Sequence, residues 1–414
     1  MVFFVIKIFK VQKMIKHDLQ LTILRHKKID NTLTKILGII GGGQLGMMLT
    51  EAAKKMSEDI SDVIVLDPTK DCPAAKVGAK QIVADFKDKN AIVELSLQSD
   101  IITYEIESGN SEVLESINAG VAINPSPATL RIIQDKYLQK KFLRENGLPV
   151  TDFVVIESLD DVKEKIKSFG YPVMLKARRD AYDGRGNFRI ENQEQVTHAY
   201  EQFIGRSTML ERIVDFQMEV SVIAARNTNG QIATYHVVEN IHEENILKTT
   251  IAPARVSKKI SEEAEKIAKK TMEVLHGAGV FGIEMFVTKD DKILINEIAP
   301  RVHNSGHHTL QSSVTSQFEQ HLRAILGLEL GKTDLLHYTV MCNILGPRGF
   351  QGRYKPITVD QNNGIFLKMY QKDEVKPQRK MGHFNVVDVN DTKDINMLLK
   401  KAEEVKSLIK FNPV

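Results

Sequence analysis

The sequence predicts a multidomain chain of mixed α/β and α+β type, and three observations carry the prediction. Strands and helices alternate across residues 36–128, the pattern of a doubly wound parallel sheet. Short strands set among helices follow over about 150–212, a small α+β lobe inside a middle domain of 129–330. After Leu330-Gly331 apolar strands take over, a small β-rich C-terminal domain spanning 331–414. A chain of 414 residues, 42% apolar and 26% charged, has room for these units and their cores.

Each element has its own signal. Residues 36–40 read as a buried strand closed by glycines, and 44–56 as the helix after it. Residues 63–66, 81–84 and 100–104 continue the α/β unit, which ends near Asn124-Pro125-Ser126-Pro127. "ATLRIIQDKYLQKKFLRENGLPV" has helical spacing throughout and a stop at Gly147. Residues 153–156, 173–176, 187–190 and 208–211 are the strands of the small lobe. Strands resume at 219–225 and 232–240, and a helix spans 261–275. Residues 280–287 and 292–298 read as an antiparallel ribbon. "HYTVMCNILG", "GIFLKMY" and "HFNVVDV" supply the C-terminal strands.

Charge and cysteine usage exclude several classes. Net charge is +3, but residues 1–35 alone hold eight Lys or Arg against two Asp. This basic N-terminal extension is expected to be disordered or weakly helical. The body behind it is slightly acidic and lacks the basic excess that grips nucleic acid. "MVFFVIKIFK" is interrupted by Lys7, is too short to span a membrane, and is followed by no cleavage site. Cys72 and Cys342 show neither zinc nor redox spacing, so two reduced thiols in a cytoplasmic protein are expected.

The glycine turn Gly41-x-Gly43-x-x-Gly46 matches a dinucleotide-binding fingerprint, and Asp67 ends the next strand where a ribose-binding acid would sit. The same turn serves other small molecules, or simple packing, so the readings stay open at this point. Downstream, Lys176 on a strand precedes the loop Asp183-Gly184-Arg185-Gly186; together they suit phosphate. Glu211 and Glu219 flank the next strand-to-strand junction, where a carboxylate could take a ribose hydroxyl or the backbone could read an adenine edge. Glu284 and Glu297 lie on the two strands of the apolar ribbon. On an antiparallel pair that spacing can bring both to one face, where hard oxygen ligands beside phosphates suit magnesium. His303, His307 and His308 have no further Cys or His to complete a zinc set. Arg301, His303 and Asn304 read instead as substrate contacts. Lys372, Lys376, Arg379 and Lys380 form either a solvated face or a phosphate pocket.

In this order, "GGGQLGMML", "TYEIE", "YDGRG", "INEIAPRVHNSGHH" and "QRKMGH" resemble the 5-(carboxyamino)imidazole ribonucleotide synthases, ATP-grasp enzymes of purine (IMP) biosynthesis. The resemblance runs from about residue 36 to the end. It implies an ATP-grasp fold and a cytoplasmic, homodimeric ligase with no membrane or nucleic-acid partner. Its partners would be ATP as co-substrate, bicarbonate and 5-aminoimidazole ribonucleotide, with Mg2+ or Mn2+ as cofactor and carboxyphosphate as intermediate. It implies that Lys136 and Lys176 hold phosphates, that Glu211, Arg212 and Val214 line the adenine hinge, and that Glu219 takes the ribose. Glu284 and Glu297 would hold the metal, with Asn296 as a further candidate ligand. Tyr182, Asp183, Gly184, Arg185 and Gly186 would cover the phosphates and intermediate, with Arg301 and His303 completing the catalytic set. Gln44, Leu45, Glu105, Asn304, Lys372, Arg379 and Lys380 would bind the ribonucleotide. Two departures stand out: Asp180 and Ala181 replace the usual glycines before the loop, and Ala299 stands where many ATP-grasp enzymes have Asn. The related formate-dependent glycinamide ribonucleotide formyltransferase typically has Glu for Gln44 and Asp for Asn304. A nicotinamide oxidoreductase and a non-catalytic nucleotide sensor are the readings from other classes.

Overall fold

The computed structural model describes residues 34–117, 120–180 and 186–414. The expectations for residues 1–33, and for Tyr182, Asp183, Gly184 and Arg185, lie outside the described residues. Strand β1 begins at Lys35, one residue inside the predicted extension.

The N-terminal unit is a five-stranded parallel sheet in the order β3-β2-β1-β4-β5. Its strands are β1 (Lys35–Ile40), β2 (Ile60–Leu66), β3 (Lys80–Ile82), β4 (Ile101–Tyr104) and β5 (Ala122–Ile123). Both faces are covered, which is why its strands are almost continuously apolar. Leu37, Ile39, Val63 and Val65 pack on one side with the helix Gln44–Lys55, and Ile40, Ile64 and Leu66 on the other with the helix Lys89–Gln98. The chain leaves β1 for β2 on one side and returns to β4 on the other. The ends of β1 and β4 therefore flank the switch-point crevice where ligands of such sheets sit. Gly41–Gly43 follow β1 there, and Glu105 follows β4.

The predicted single helix over the next stretch is two helices, Pro127–Ile133 and Lys136–Glu145. Asp135 breaks it: its carboxylate accepts from the N–H groups of Tyr137 and Leu138, capping the second helix. That break puts Lys136 in a first turn. The small lobe is an antiparallel sheet in the order β6-β9-β7-β8, comprising β6 (Phe153–Ile156), β7 (Val173–Ala177), β8 (Asn187–Ile190) and β9 (Thr208–Arg212).

The remaining large strands form one nine-stranded sheet, β15-β14-β10-β12-β13-β16-β20-β18, with β11 beside β10. Its first part is β10 (Phe216–Arg226), β11 (Ile232–Thr234), β12 (Val238–Glu243), β13 (Ile246–Ala252), β14 (Gly279–Thr288) and β15 (Ile293–Ala299). The predicted strand at 232–240 is interrupted. Ala224 pairs Thr234 but Glu219 pairs Asn240, a slip of one residue that separates β11 from β12. The strands of the β-rich C-terminal region are β16 (Thr339–Leu345), β18 (Ile365–Met369) and β20 (Lys380–Val387), which join the large sheet; a two-stranded ladder of β17 (Gly352–Arg353) and β19 (Glu374–Val375) stands apart. Strand β16 pairs with β13, Thr249 opposite Cys342, and so extends the large sheet. An otherwise open edge of β13 is thereby closed, and the helix Ile395–Leu408 packs over the extension. Among the described residues no helix is long and apolar enough to cross a membrane. Cys72 and Cys342 are free and buried.

Candidate active site

Glu284 on β14 and Glu297 on β15 are direct cross-strand partners. A bulge follows at once: Met285 pairs with Ile295, so Asn296 is the extra residue between them. Directly paired side chains lie about 5 Å apart at Cβ and share a face. Burial, then the charge of Glu297, push the Glu284 carboxyl up to about 7. Glu297 is held at about 2, above all by the ammonium of Lys136, whose Nζ lies 2.6 Å from its Oε2. Its side chain is 46% exposed.

Histidines flank this pair. His303 sets its Nε2 3.3 Å from Glu284 Oε1. Its Nδ1 accepts from the Ser305 N–H and contacts Ser305 Oγ at 2.9 Å, which leaves the proton on Nε2, facing Glu284. The support runs deeper: Asn240 donates to Ser221 Oγ, and Ser221 Oγ donates to Ser305 Oγ. Burial, then Arg301, push the His303 imidazole down to about 3, so it stays neutral. His242, which no motif singled out, places Nδ1 3.1 Å from Glu219 Oε2. Burial opposes its charge, but Glu219 outweighs burial and raises its pKa.

A second cluster joins the small lobe to the large sheet. Lys140 Nζ lies 2.9 Å from Glu211 Oε1, and Lys176 Nζ lies 2.7 Å from Glu211 Oε2. Lys140 also donates to the Asn296 carbonyl at 3.1 Å. Burial would raise the Glu211 carboxyl, but Lys140 and Lys176 outweigh it and hold it at about 2. The two lysines occupy the Glu211 side chain, which leaves its backbone for the expected hinge role. The Arg212 guanidinium turns to Asp152 and the Phe169 carbonyl, and Asp152 and Thr151 hold its backbone groups. The peptide units from Ile213 through Val214 to Asp215 form the actual link between β9 and β10. Asp135, besides capping Lys136–Glu145, accepts from Arg178 Nε and Nη2, tying that helix to the end of β7. Gly186 receives the Ala177 N–H at its carbonyl and has φ +81°.

The remaining predicted residues gather at the switch point. Gly43 donates its N–H to Glu105 Oε1 at 2.7 Å, and Gly42 donates to Asp67 Oδ2 at 2.8 Å. Asp67 also accepts from Thr69 N–H, so it holds the glycine turn and is not offered to a ribose. Gly41 has φ +103°, which favours glycine. The helix Gln44–Lys55 has no side-chain cap at its start, so its first N–H groups have no intrahelical partner. Leu45 packs its side chain in the core, so only its backbone can serve. Burial raises Glu105 to about 7 against the pull of Gly43 and Arg301. Arg301 pairs with Glu107 at 3.0 Å. Lys372 donates to the Lys380 carbonyl at 2.6 Å; burial, then Arg379, push it down to about 7. Arg379 is exposed and donates to the Glu374 carbonyl. Asn304 has both side-chain amide atoms buried without a protein partner. Gln317 holds its loop, accepting from His303 N–H and donating to the His303 carbonyl. His307 and His308 are buried, and burial first of all keeps both neutral. Among the described residues no three His, Cys, Asp or Glu side chains gather into a complete metal site.

Comparison with known proteins assigns all three regions. Residues 34–134 match the ribonucleotide synthetase preATP-grasp domain, 141–318 the ATP-grasp domain, and 339–396 the phosphoribosylaminoimidazole carboxylase C-terminal domain. The chain is 40% identical over 348 residues to the N5-carboxyaminoimidazole ribonucleotide synthase of Bacillus subtilis, covering 84% of this chain and 90% of that protein. It is similar to the crystal structure of the N5-carboxyaminoimidazole ribonucleotide synthetase from Thermotoga maritima: TM-score 0.82, 45% identity, 92% of this chain and all of that one covered. It is also similar to the Aspergillus clavatus N5-carboxyaminoimidazole synthase in complex with ADP and 5-aminoimidazole ribonucleotide, at TM-score 0.80 and 32% identity, covering 91% of this chain and 98% of that one.

The buried cluster predicts a pH-dependent loss of stability. Glu211 is held at about 2, below its ordinary 4.5, so its contribution is complete above about pH 4.5 and fades as pH falls toward 2. Glu211→Gln leaves two cations without their anion and should cost about 3–5 kcal/mol at neutral pH in urea denaturation. The gap from the parent should narrow below pH 4.5. A gap that is small at neutral pH, or constant with pH, would contradict this assignment.

Proposed function

The chain belongs to the N5-carboxyaminoimidazole ribonucleotide synthases, ATP-grasp ligases of purine biosynthesis, and from that premise we propose how its residues share the reaction. The substrates are ATP, 5-aminoimidazole ribonucleotide and bicarbonate. A bicarbonate oxygen attacks the γ-phosphorus, the bond to the β–γ bridging oxygen breaks, and ADP leaves. The resulting carboxyphosphate separates into carbon dioxide and phosphate. The exocyclic amine of the ribonucleotide attacks the carbon of carbon dioxide and releases a proton.

The observation that carries this reading is the Glu284–Glu297 rung with the Lys136 ammonium on it. Two close carboxylates of which one is pushed up to about 7 are short of positive charge. A divalent cation bound by Glu284 and Glu297, with Asn296 beside them, would relieve that shortage and take its other ligands from phosphate oxygens. When bound, magnesium lowers the charge on the triphosphate and favours attack at the γ-phosphorus. Lys136, displaced from Glu297, and Lys176 are then the phosphate contacts, with Glu219 and its partner His242 toward the ribose. Tyr182, Asp183, Gly184, Arg185 and Gly186 are proposed to cover the intermediate. His303 keeps its Nε2–H on Glu284 and fixes that carboxylate. On the other side of the cleft, Gln44, the Leu45 N–H, Glu105, Asn304, Lys372, Arg379 and Lys380 are proposed to hold the ribonucleotide. Lys372 and Arg379 suit its phosphate, and the unpartnered amide of Asn304 suits a neutral polar group. A cytoplasmic homodimer is proposed on family grounds alone.

Purified protein with magnesium-ATP should release ADP when bicarbonate and 5-aminoimidazole ribonucleotide are both present, one ADP per ribonucleotide consumed. Release supported instead by formate and glycinamide ribonucleotide would replace this substrate reading with the formyltransferase one. Glu297→Ala should lower turnover on the order of a thousandfold while leaving the circular dichroism spectrum unchanged. Near-normal turnover would remove Glu297 from the metal site.

A further inference from the structure

The buried cluster holds two cations and one anion. Lys140 and Glu211 are each only 4% exposed at the side chain, whereas Lys176 is 16% exposed. Of the two lysines, Lys176 is the more exposed, so the one surplus positive charge is the one open to solvent there. Glu211 divides its two oxygens between the lysines, Oε1 to Lys140 and Oε2 to Lys176. Without Lys140, Lys176 would be the only counterion of a buried carboxylate, and the pair would face a triphosphate with no net charge. We propose that Lys140 is a positioning residue for nucleotide binding: it neutralises Glu211 and so leaves the charge of Lys176 to the triphosphate. This rests on the reading of Lys176 as a phosphate contact.

The placement of Lys140 supports the same role. It lies one helical turn after Lys136 on the helix Lys136–Glu145, on the same face but deeper. Its donation to the Asn296 carbonyl reaches the residue before Glu297. One ammonium thus touches the small lobe through Glu211 on β9 and the metal-binding ribbon through β15. An apolar side chain would fill this position at lower desolvation cost. Packing alone therefore does not call for a lysine here.

The test compares KM for ATP, KM for the ribonucleotide and kcat in four variants, each checked by thermal melting. Lys140→Met should raise KM for ATP on the order of tenfold, with KM for the ribonucleotide unchanged. Lys140→Arg should recover most of the loss. The double variant Lys140→Met/Glu211→Gln again has one unneutralised cation, Lys176, and should bind ATP better than Lys140→Met alone. A stable Lys140→Met with an unchanged KM for ATP overturns the proposal. So does a double variant no better than the single one, which would mean a purely structural role. Should Lys140→Met fail to fold, the double variant against the parent decides: near-parental KM for ATP supports the proposal and a raised one overturns it. Lys176→Met separates the two levels. A raised KM for ATP there, with Lys140→Met unaffected, sinks this inference alone, whereas no change in Lys176→Met sinks the phosphate reading beneath it.

Discussion

Two carboxylates on one rung of an antiparallel ladder set the terms for the groups around them. Glu284 and Glu297 share a face, and burial with the charge of Glu297 pushes Glu284 up to about 7 even with the Lys136 ammonium on Glu297. Their neighbours answer that demand. Lys136 sits on Glu297, neutral His303 turns its Nε2–H to Glu284, and the charge of His242 is favoured by Glu219 and then by Glu284. The protein without ligand is thus a charge-compensated version of the complex. In the proposed reaction, magnesium would bring the positive charge the carboxylates lack, and the triphosphate the negative charge that Lys136 and Lys176 would then accept.

The architecture brings these groups together from distant stretches of chain. The rung lies at one end of the nine-stranded sheet, on β14 and β15, while the lysines come from a helix and from the small lobe. Lys140 and Asp135 join the helix to its surroundings, the first through Glu211 and the Asn296 carbonyl, the second through Arg178. Opposite, the switch point of the parallel sheet supplies uncapped helix N–H groups, and Arg301 pairs with Glu107 across to it. The carboxylate rung and the uncapped helix N–H groups would thus suit, respectively, a metal-bound triphosphate and a second phosphate-bearing substrate.

Much of this was legible in the sequence. Two apolar runs joined by Lys289-Asp290-Asp291 located β14 and β15, and the spacing of Glu284 and Glu297 across that turn could place both on one face. The parallel sheet was legible because alternating strands and helices allow few other arrangements. What was not legible depends on partners far away in the chain. Asp135 looks like an ordinary helical residue until Arg178 and two N–H groups meet it. Lys140 draws no notice and Glu211 reads as a nucleotide contact, because nothing local marks a lysine or glutamate as a buried ion pair. Strand β13 and the helix Gln317–Leu326 carry mixed polarity because both contribute polar groups to buried networks, Thr250 to Asn240 and Gln317 to His303. Asp67 suggested a ribose contact by position, and only its bonds to Gly42 and Thr69 show it holding the turn.

Charge compensation at the Glu284–Glu297 rung is tested most directly by ATP affinity with and without magnesium, in the parent and in Glu297→Gln. The parent should bind ATP far better with magnesium, because the carboxylates repel bare phosphates and hold Lys136. In Glu297→Gln, Lys136 is released and one repelling charge is gone, so metal-free ATP should bind more tightly than to the parent and most of the magnesium dependence should vanish. Unchanged magnesium dependence in Glu297→Gln would contradict the central claim.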